Sequence, residues 1–104
     1  MFQFLKSILG GASDADFKGL VAAGALIVDV RNPDEYASGH IKGSVNIPLG
    51  QIGQHFSTLQ NKKVPIIAVC RSGARSGAAV DMLRNKGIEA YNGGSWDGLK
   101  ATIA

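Results

Sequence analysis

The stretch IIAVCRSGARSGAAV, residues 66–80, decides how this chain is read. Its first part is an unbroken apolar run ending at Cys70, the pattern of a strand buried on both faces. The chain then turns through Arg71, Ser72, Gly73, Ala74 and Arg75 into small residues at helical spacing. A helix is predicted over 75–86, with Ala79, Val80 and Leu83 on its inner face and Gly87 as its C′ residue. A buried strand feeding directly into a helix N-terminus is half of a β–α–β unit.

Working outward, ALIVDV (25–30) repeats the buried-strand signature. Before it, Ser13 is the expected N-cap of a helix over 14–23, with Asp14 and Asp16 in its first turn and Gly24 as the stop. Asn32-Pro33 opens a short helix carrying Asp34, Glu35 and Tyr36, which Gly39 ends. SVNIP (44–48) reads as a short strand, 50–60 as a helix and IEAYN (88–92) as the last strand. Gly93-Gly94 then leads to a terminal helix from Ser95. Strands alternating with helices predict an α/β fold with a mainly parallel sheet. Sites in such folds form outside the carboxyl ends of the strands. That edge gathers Asp29 and Arg31, Cys70, and Asn92 to Trp96.

A length of 104 residues fits one domain with one core. The 45% apolar and 18% charged content is that of a folded protein. A net charge of +3 favours anionic partners, but the basic residues are scattered, with no run beyond Lys62-Lys63, so a nucleic-acid binder is not expected. One cysteine allows no internal disulfide and fits a reducing compartment, so a cytoplasmic location is expected. With only His40 and His55 beside it, neither a metal site nor a cofactor is expected. No stretch approaches the roughly 20 apolar residues of a membrane span. MFQFLKSILGG at the start is broken by Lys6 and lacks a small-residue cleavage site, so it reads as mature sequence. Residues 1–12 form an N-terminal extension, either a short amphipathic helix or a frayed end, ahead of the domain at 13–104.

The loop after Cys70 has a chemical logic. Successive backbone N–H groups in such a turn converge into an anion nest, and the helix adds about half a positive charge. Gly73 permits a backbone conformation that a side chain would obstruct. A sulfur at the mouth of that nest has its thiol pKa lowered, and the thiolate is the nucleophile. A buried structural cysteine is the alternative, but that role needs no such loop.

LIVDVRNPDEYASGHIKGSVNIP (26–48), VCRSGARS (69–76) and GGSWDGL (93–99) together resemble the single-domain rhodaneses, or sulfurtransferases, of the phage-shock-protein-E type. The resemblance covers about residues 13–100 and implies a rhodanese α/β fold. It implies that Cys70 takes up sulfane sulfur as a persulfide and passes it on. The donor would be thiosulfate or a related small anion, and the acceptor cyanide, a thiol or a partner protein. It implies an active-site loop of Arg71, Ser72, Gly73, Ala74 and Arg75, with Arg75 closing it. A sulfur-carrier module fed by a partner protein is an alternative. Cysteine-dependent phosphatases and arsenate reductases are a more distant one, because phosphatase loops are one residue longer. Here four residues, 71–74, separate Cys70 from Arg75, and the smaller ring suits one bound sulfur atom.

The remaining residues have narrower expected roles. Arg31 and Glu35, four apart at a helix start, are expected to form an ion pair. Asp29 either hydrogen-bonds the active loop or caps a helix. His40 braces the segment before the second strand, and His55 is a surface residue. Trp96 either walls the pocket or anchors the core. Arg71 projects to attract the donor. The loop is expected to be exposed, so that replacing Cys70 by serine removes no core volume.

Overall fold

The computed structural model describes residues 15–104. In chain order these form α1 (Phe17–Ala22), β1 (Leu26–Asp29), α2 (Pro33–Ala37) and β2 (Val45–Asn46). A 3-10 segment (Leu49–His55) runs into α3 (Phe56–Lys62), followed by β3 (Ile66–Cys70), α4 (Ala74–Asn85), β4 (Ala90–Ser95) and α5 (Trp96–Ile103). The architecture is α/β, and the strands lie in the order β2-β1-β3-β4 with every pairing parallel.

β3 is central because it has no polar face to offer water: all five of its residues are buried. Side chains alternate across the sheet, so Ile66, Ala68 and Cys70 join one core with Ala79, Val80 and Leu83 of α4 and Leu59 of α3. Ile67 and Val69 point the other way, into a second core with Ile27, Ile41 and Leu99, flanked by Phe17, Leu20 and Trp96. Full burial of each large aliphatic side chain contributes roughly 1.5–3 kcal/mol. The sheet is therefore held from both faces, and its carboxyl edge is left for chemistry.

Three details differ from the expectations. α1 starts later than predicted: Asp16 caps it, its Oδ1 accepting from the Gly19 N–H at 2.9 Å. The expected Ser13 cap and the 1–12 extension lie outside the described residues. The segment 49–55 is a 3-10 helix before α3 becomes regular. The last strand runs over 90–95 instead of 88–92, because the double glycine lies inside it. There β3 and β4 shift register between Ala68 and Val69, making a bulge around Gly93. A Cβ on Gly93 would stand 2.8 Å from Ile67 Cγ2 and 2.9 Å from Val69 Cγ1. Only glycine lets β4 pass so close to β3. Just past the bulge Gly94 lies against the loop after Cys70, its Cα 3.4 Å from where a Cβ on Gly73 would stand.

Candidate active site

Cys70 is the last residue of β3 and has no exposed surface. It belongs to the first core, which corrects the expectation that replacing it touches no core volume. Arg71 and Ser72 are exposed on the loop beyond it. Gly73 then takes a left-handed conformation, φ 99°, at the N-cap of α4. A Cβ there would be strained and would meet Gly94 Cα at 3.4 Å.

This turn folds the helix start back over the sulfur. Cys70 Sγ accepts from the Gly73 N–H at 3.0 Å and from the Ser76 N–H at 3.4 Å, while Ser76 Oγ lies 3.4 Å away. Both N–H groups are unused in the first turn of the helix, so the sulfur takes bonds that α4 cannot supply to itself. Burial pushes the thiol pKa up, but donors from Ser76, Gly73 and Ser72 outweigh it, and the pKa lies below the ordinary thiol value. The result is a buried sulfur biased toward thiolate, with hydrogen-bond donors around it.

Arg75, expected to close the loop, is instead paired with a residue of α2. Its Nη1 and Nη2 donate to the two carboxylate oxygens of Glu35 on α2, at 2.7 and 3.1 Å. The Arg75 guanidinium and the Asn32 N–H hold the Glu35 carboxyl down at about 2. The expected Arg31–Glu35 ion pair is therefore not the one formed. Arg31 instead binds Asp29, donating from Nε and Nη2 at 2.9 and 2.7 Å. Arg31 touches Glu35 only at its main-chain oxygen, 3.2 Å away, and reaches the Gly39 oxygen at 2.7 Å. Burial explains the choice: Asp29 is fully buried and Arg31 is 3% exposed, so each needs a charged neighbour at close range.

The Asp29 carboxylate thus serves Arg31, and neither hydrogen-bonds the Cys70 loop nor caps a helix. Trp96 packs into the second core with its ring 4.8 Å from the Arg31 guanidinium. Both stand on the face of the sheet away from the Cys70 side chain. His40 stacks on Tyr36 at 3.7 Å and donates from Nδ1 to the Tyr36 carbonyl at 2.7 Å. It stiffens the segment leading to β2. His55, half-buried, makes a similar local bond to the Gln51 carbonyl at 3.0 Å.

Sequence reasoning did not select Ser76, which the geometry brings to the sulfur, or Asn92, which holds Ser76. Ser76 is fully buried, and its hydroxyl donates to Asn92 Oδ1 at 2.7 Å. Asn92 in turn donates from Nδ2 to the Gly73 carbonyl at 3.0 Å and accepts from the Gly94 N–H at 2.9 Å. Asparagine is depleted in strands, and one placed just before a bulge was the available signal. Among the described residues no three His, Cys, Asp or Glu side chains gather as metal ligands. No helix among them is long and apolar enough to cross a membrane. A hollow of about 210 Å³ beside Leu59, Lys63 and Ile88 lies at the opposite, amino end of the strands.

Comparison with known proteins gives this fold a family. The family described as "Rhodanese-like domain" matches residues 13–101, and the chain belongs to it. YqhL of Bacillus subtilis is 42% identical over 69 residues, covering 65% of this chain and 54% of YqhL. The thiosulfate sulfurtransferase PspE of Escherichia coli is 33% identical over 61 residues, covering 58% of this chain and 59% of PspE. The chain thus spans little more than half the length of either relative. The solved structure of a rhodanese with anions from E. coli superposes with a TM-score of 0.67 at 28% identity. That match covers 72% of this chain and 91% of the other.

Proposed function

We propose that this protein is a sulfurtransferase that moves sulfane sulfur from a small anionic donor of the thiosulfate type to a thiophilic acceptor. The observation that carries this reading is the sulfur of Cys70, accepting N–H donors at 3.0 and 3.4 Å from a loop that wraps it. The Cys70 thiolate attacks the outer sulfur of the donor. A Cys70 Sγ–S bond forms as the donor's S–S bond breaks, and sulfite leaves with the electron pair. An acceptor nucleophile, cyanide or a thiolate, then attacks the outer sulfur of the persulfide. The new bond to the acceptor forms, and Cys70 departs as thiolate, ready for another cycle.

The exposed Arg71 attracts the anionic donor to the loop. Arg75 adds positive charge near the sulfur while Glu35 fixes its position. The span of four residues, 71–74, gives a cradle sized for one sulfur; a phosphoryl group would need donors for three equatorial oxygens. A reducing compartment such as the cytoplasm suits a catalytic lone thiol.

The test is thiocyanate formation from thiosulfate and cyanide, run beside hydrolysis of an aryl phosphate, for the wild type and Cys70→Ser. Turnover of the first kind that vanishes in the variant, with no hydrolysis of the second kind, is expected. Cys70-dependent phosphate hydrolysis without thiocyanate overturns the reading. A persulfide accepted only from a partner protein would make the chain a sulfur carrier instead.

A further inference from the structure

Resting on the reading of Cys70 as the sulfur-carrying nucleophile, we propose that the Ser76 hydroxyl is a rotor that follows the charge on Cys70 Sγ, with Asn92 as its resting acceptor.

The argument is a count of protons. A serine hydroxyl has one proton and two lone pairs. The Asn92 amide cannot be turned over: its Nδ2 faces the Gly73 carbonyl at 3.0 Å and its Oδ1 faces the Gly94 N–H at 2.9 Å. A flipped amide would set two acceptors together and two donors together. Ser76 Oγ, 2.7 Å from that Oδ1, therefore spends its only proton on Asn92. What it offers to Sγ, 3.4 Å away, is a lone pair. A neutral thiol suits that arrangement, because its S–H donates to Oγ. A thiolate does not.

On ionisation the hydroxyl turns about its Cβ–Oγ bond and gives its proton to the sulfur. Asn92 Oδ1 keeps the Gly94 N–H, so nothing buried is left unpartnered. In the persulfide Sγ is uncharged and the charge sits on the outer sulfur, so the hydroxyl returns to Asn92. When an acceptor takes that outer sulfur, negative charge reappears on Sγ, and the hydroxyl meets it. Ser76 therefore assists Cys70 most as a leaving group, in the discharge half of the cycle. Asn92 is a positioning residue that competes with the thiolate for one proton.

The other charges near the sulfur stay fixed in this scheme. Arg75 at the start of α4 is paired with Glu35 of α2, and Asp29 at the end of β1 is paired with Arg31. Arg71 is exposed on the loop, and β4 faces the site with the neutral Asn92.

The experiment is a double-mutant cycle on the Cys70 pKa, read from the pH dependence of iodoacetamide alkylation in Ser76→Ala, Asn92→Ala and the double variant. Ser76→Ala is expected to raise the pKa by about one unit, roughly a tenfold loss of thiolate at neutral pH. Ser76→Thr restores it. Asn92→Ala is expected to lower the pKa more in the wild-type background than in the Ser76→Ala background, since only the serine has a proton to release. Effects of loop distortion are common to both backgrounds and cancel. If Asn92→Ala does not fold, Asn92→Asp gives the opposite sign. A carboxylate holds the serine proton more tightly, so it raises the pKa more in the wild-type background than in Ser76→Ala. Equal shifts in the two backgrounds overturn the rotor. Discharge of loaded persulfide to cyanide is expected to slow more than loading in Ser76→Ala at matched thiolate fraction, and the reverse also overturns it. Alkylation requires no sulfur donor, so failure of thiosulfate turnover in the wild type counts against the proposed function and leaves the cycle readable.

Discussion

At the carboxyl edge of one sheet, two buried polar groups stand on opposite faces and have opposite fates. The Asp29 carboxylate on one face is closed: Arg31 donates to it from its main chain and its guanidinium, and that guanidinium goes on to the Glu35 and Gly39 carbonyls. Charge meets charge, and Trp96 lies against the pair. The Cys70 sulfur on the other face accepts from two main-chain N–H groups and, among the described residues, has no bonded counter-ion. Its negative form is stabilised without being neutralised. A closed polar cluster contributes architecture, whereas an incompletely compensated one retains reactivity.

That contrast can be broken most severely from the closed side. Asp29→Ala leaves Arg31 buried without its counter-charge and should destabilise the fold by about 3–5 kcal/mol in urea titrations. Cys70→Ser should abolish sulfur transfer while changing stability by less than about 1.5 kcal/mol, since the donors around the position remain to satisfy a hydroxyl. Similar losses of stability in the two variants would erase the distinction between the faces.

Gly73→Ala comes next. It forces a Cβ into a left-handed backbone facing Gly94 and should cost about 1–3 kcal/mol. It also displaces the N–H nearest the sulfur, so the Cys70 pKa should rise. An unchanged alkylation profile in a folded variant would mean that this donor does not hold the thiolate.

Arg75→Ala should lower kcat/KM for thiosulfate by about tenfold, because it removes charge near the sulfur and frees Glu35. Arg71→Ala should mainly raise KM and flatten its salt dependence. Identical kinetic profiles would show that the two arginines share one role.

The smallest effect concerns pH. Glu35 is held at about 2 by Arg75, against an ordinary value of 4.5, so its folded pKa is depressed. Its stabilising contribution is then complete above 4.5 and is lost as pH falls through about 2. The stability difference between wild type and Glu35→Gln should shrink across that window, as measured by denaturant midpoints. A difference that grows on acidification would contradict the pairing.

Legibility in the sequence followed the range of the interactions. β3, its loop and α4 could be read because an unbroken apolar run, a glycine turn and a helical repeat are all local signals. The length of β4 could not, because Gly93 is a bulge in pairing with β3 and is kept a glycine by the side chains of Ile67 and Val69, more than twenty residues earlier in the chain. Arg31 and Glu35 are near in sequence, yet Glu35 takes Arg75, 40 residues away, because burial had already committed Arg31 to Asp29. Ser76 and Asn92 were hidden for the same reason: their significance lies in a contact between α4 and β4. The strand end that carries Cys70 was legible, and the hydrogen-bond network around its sulfur was not.

The central claim is that the cradle around Cys70 serves sulfur chemistry, and intact mass tests it most directly. Protein incubated with thiosulfate and freed of excess reagent should gain the mass of one sulfur atom. The adduct should map to the peptide containing Cys70, be absent in Cys70→Ser, and disappear on adding cyanide as thiocyanate forms. A wild-type protein that stays at its original mass, with its thiol still alkylated readily, would contradict the account.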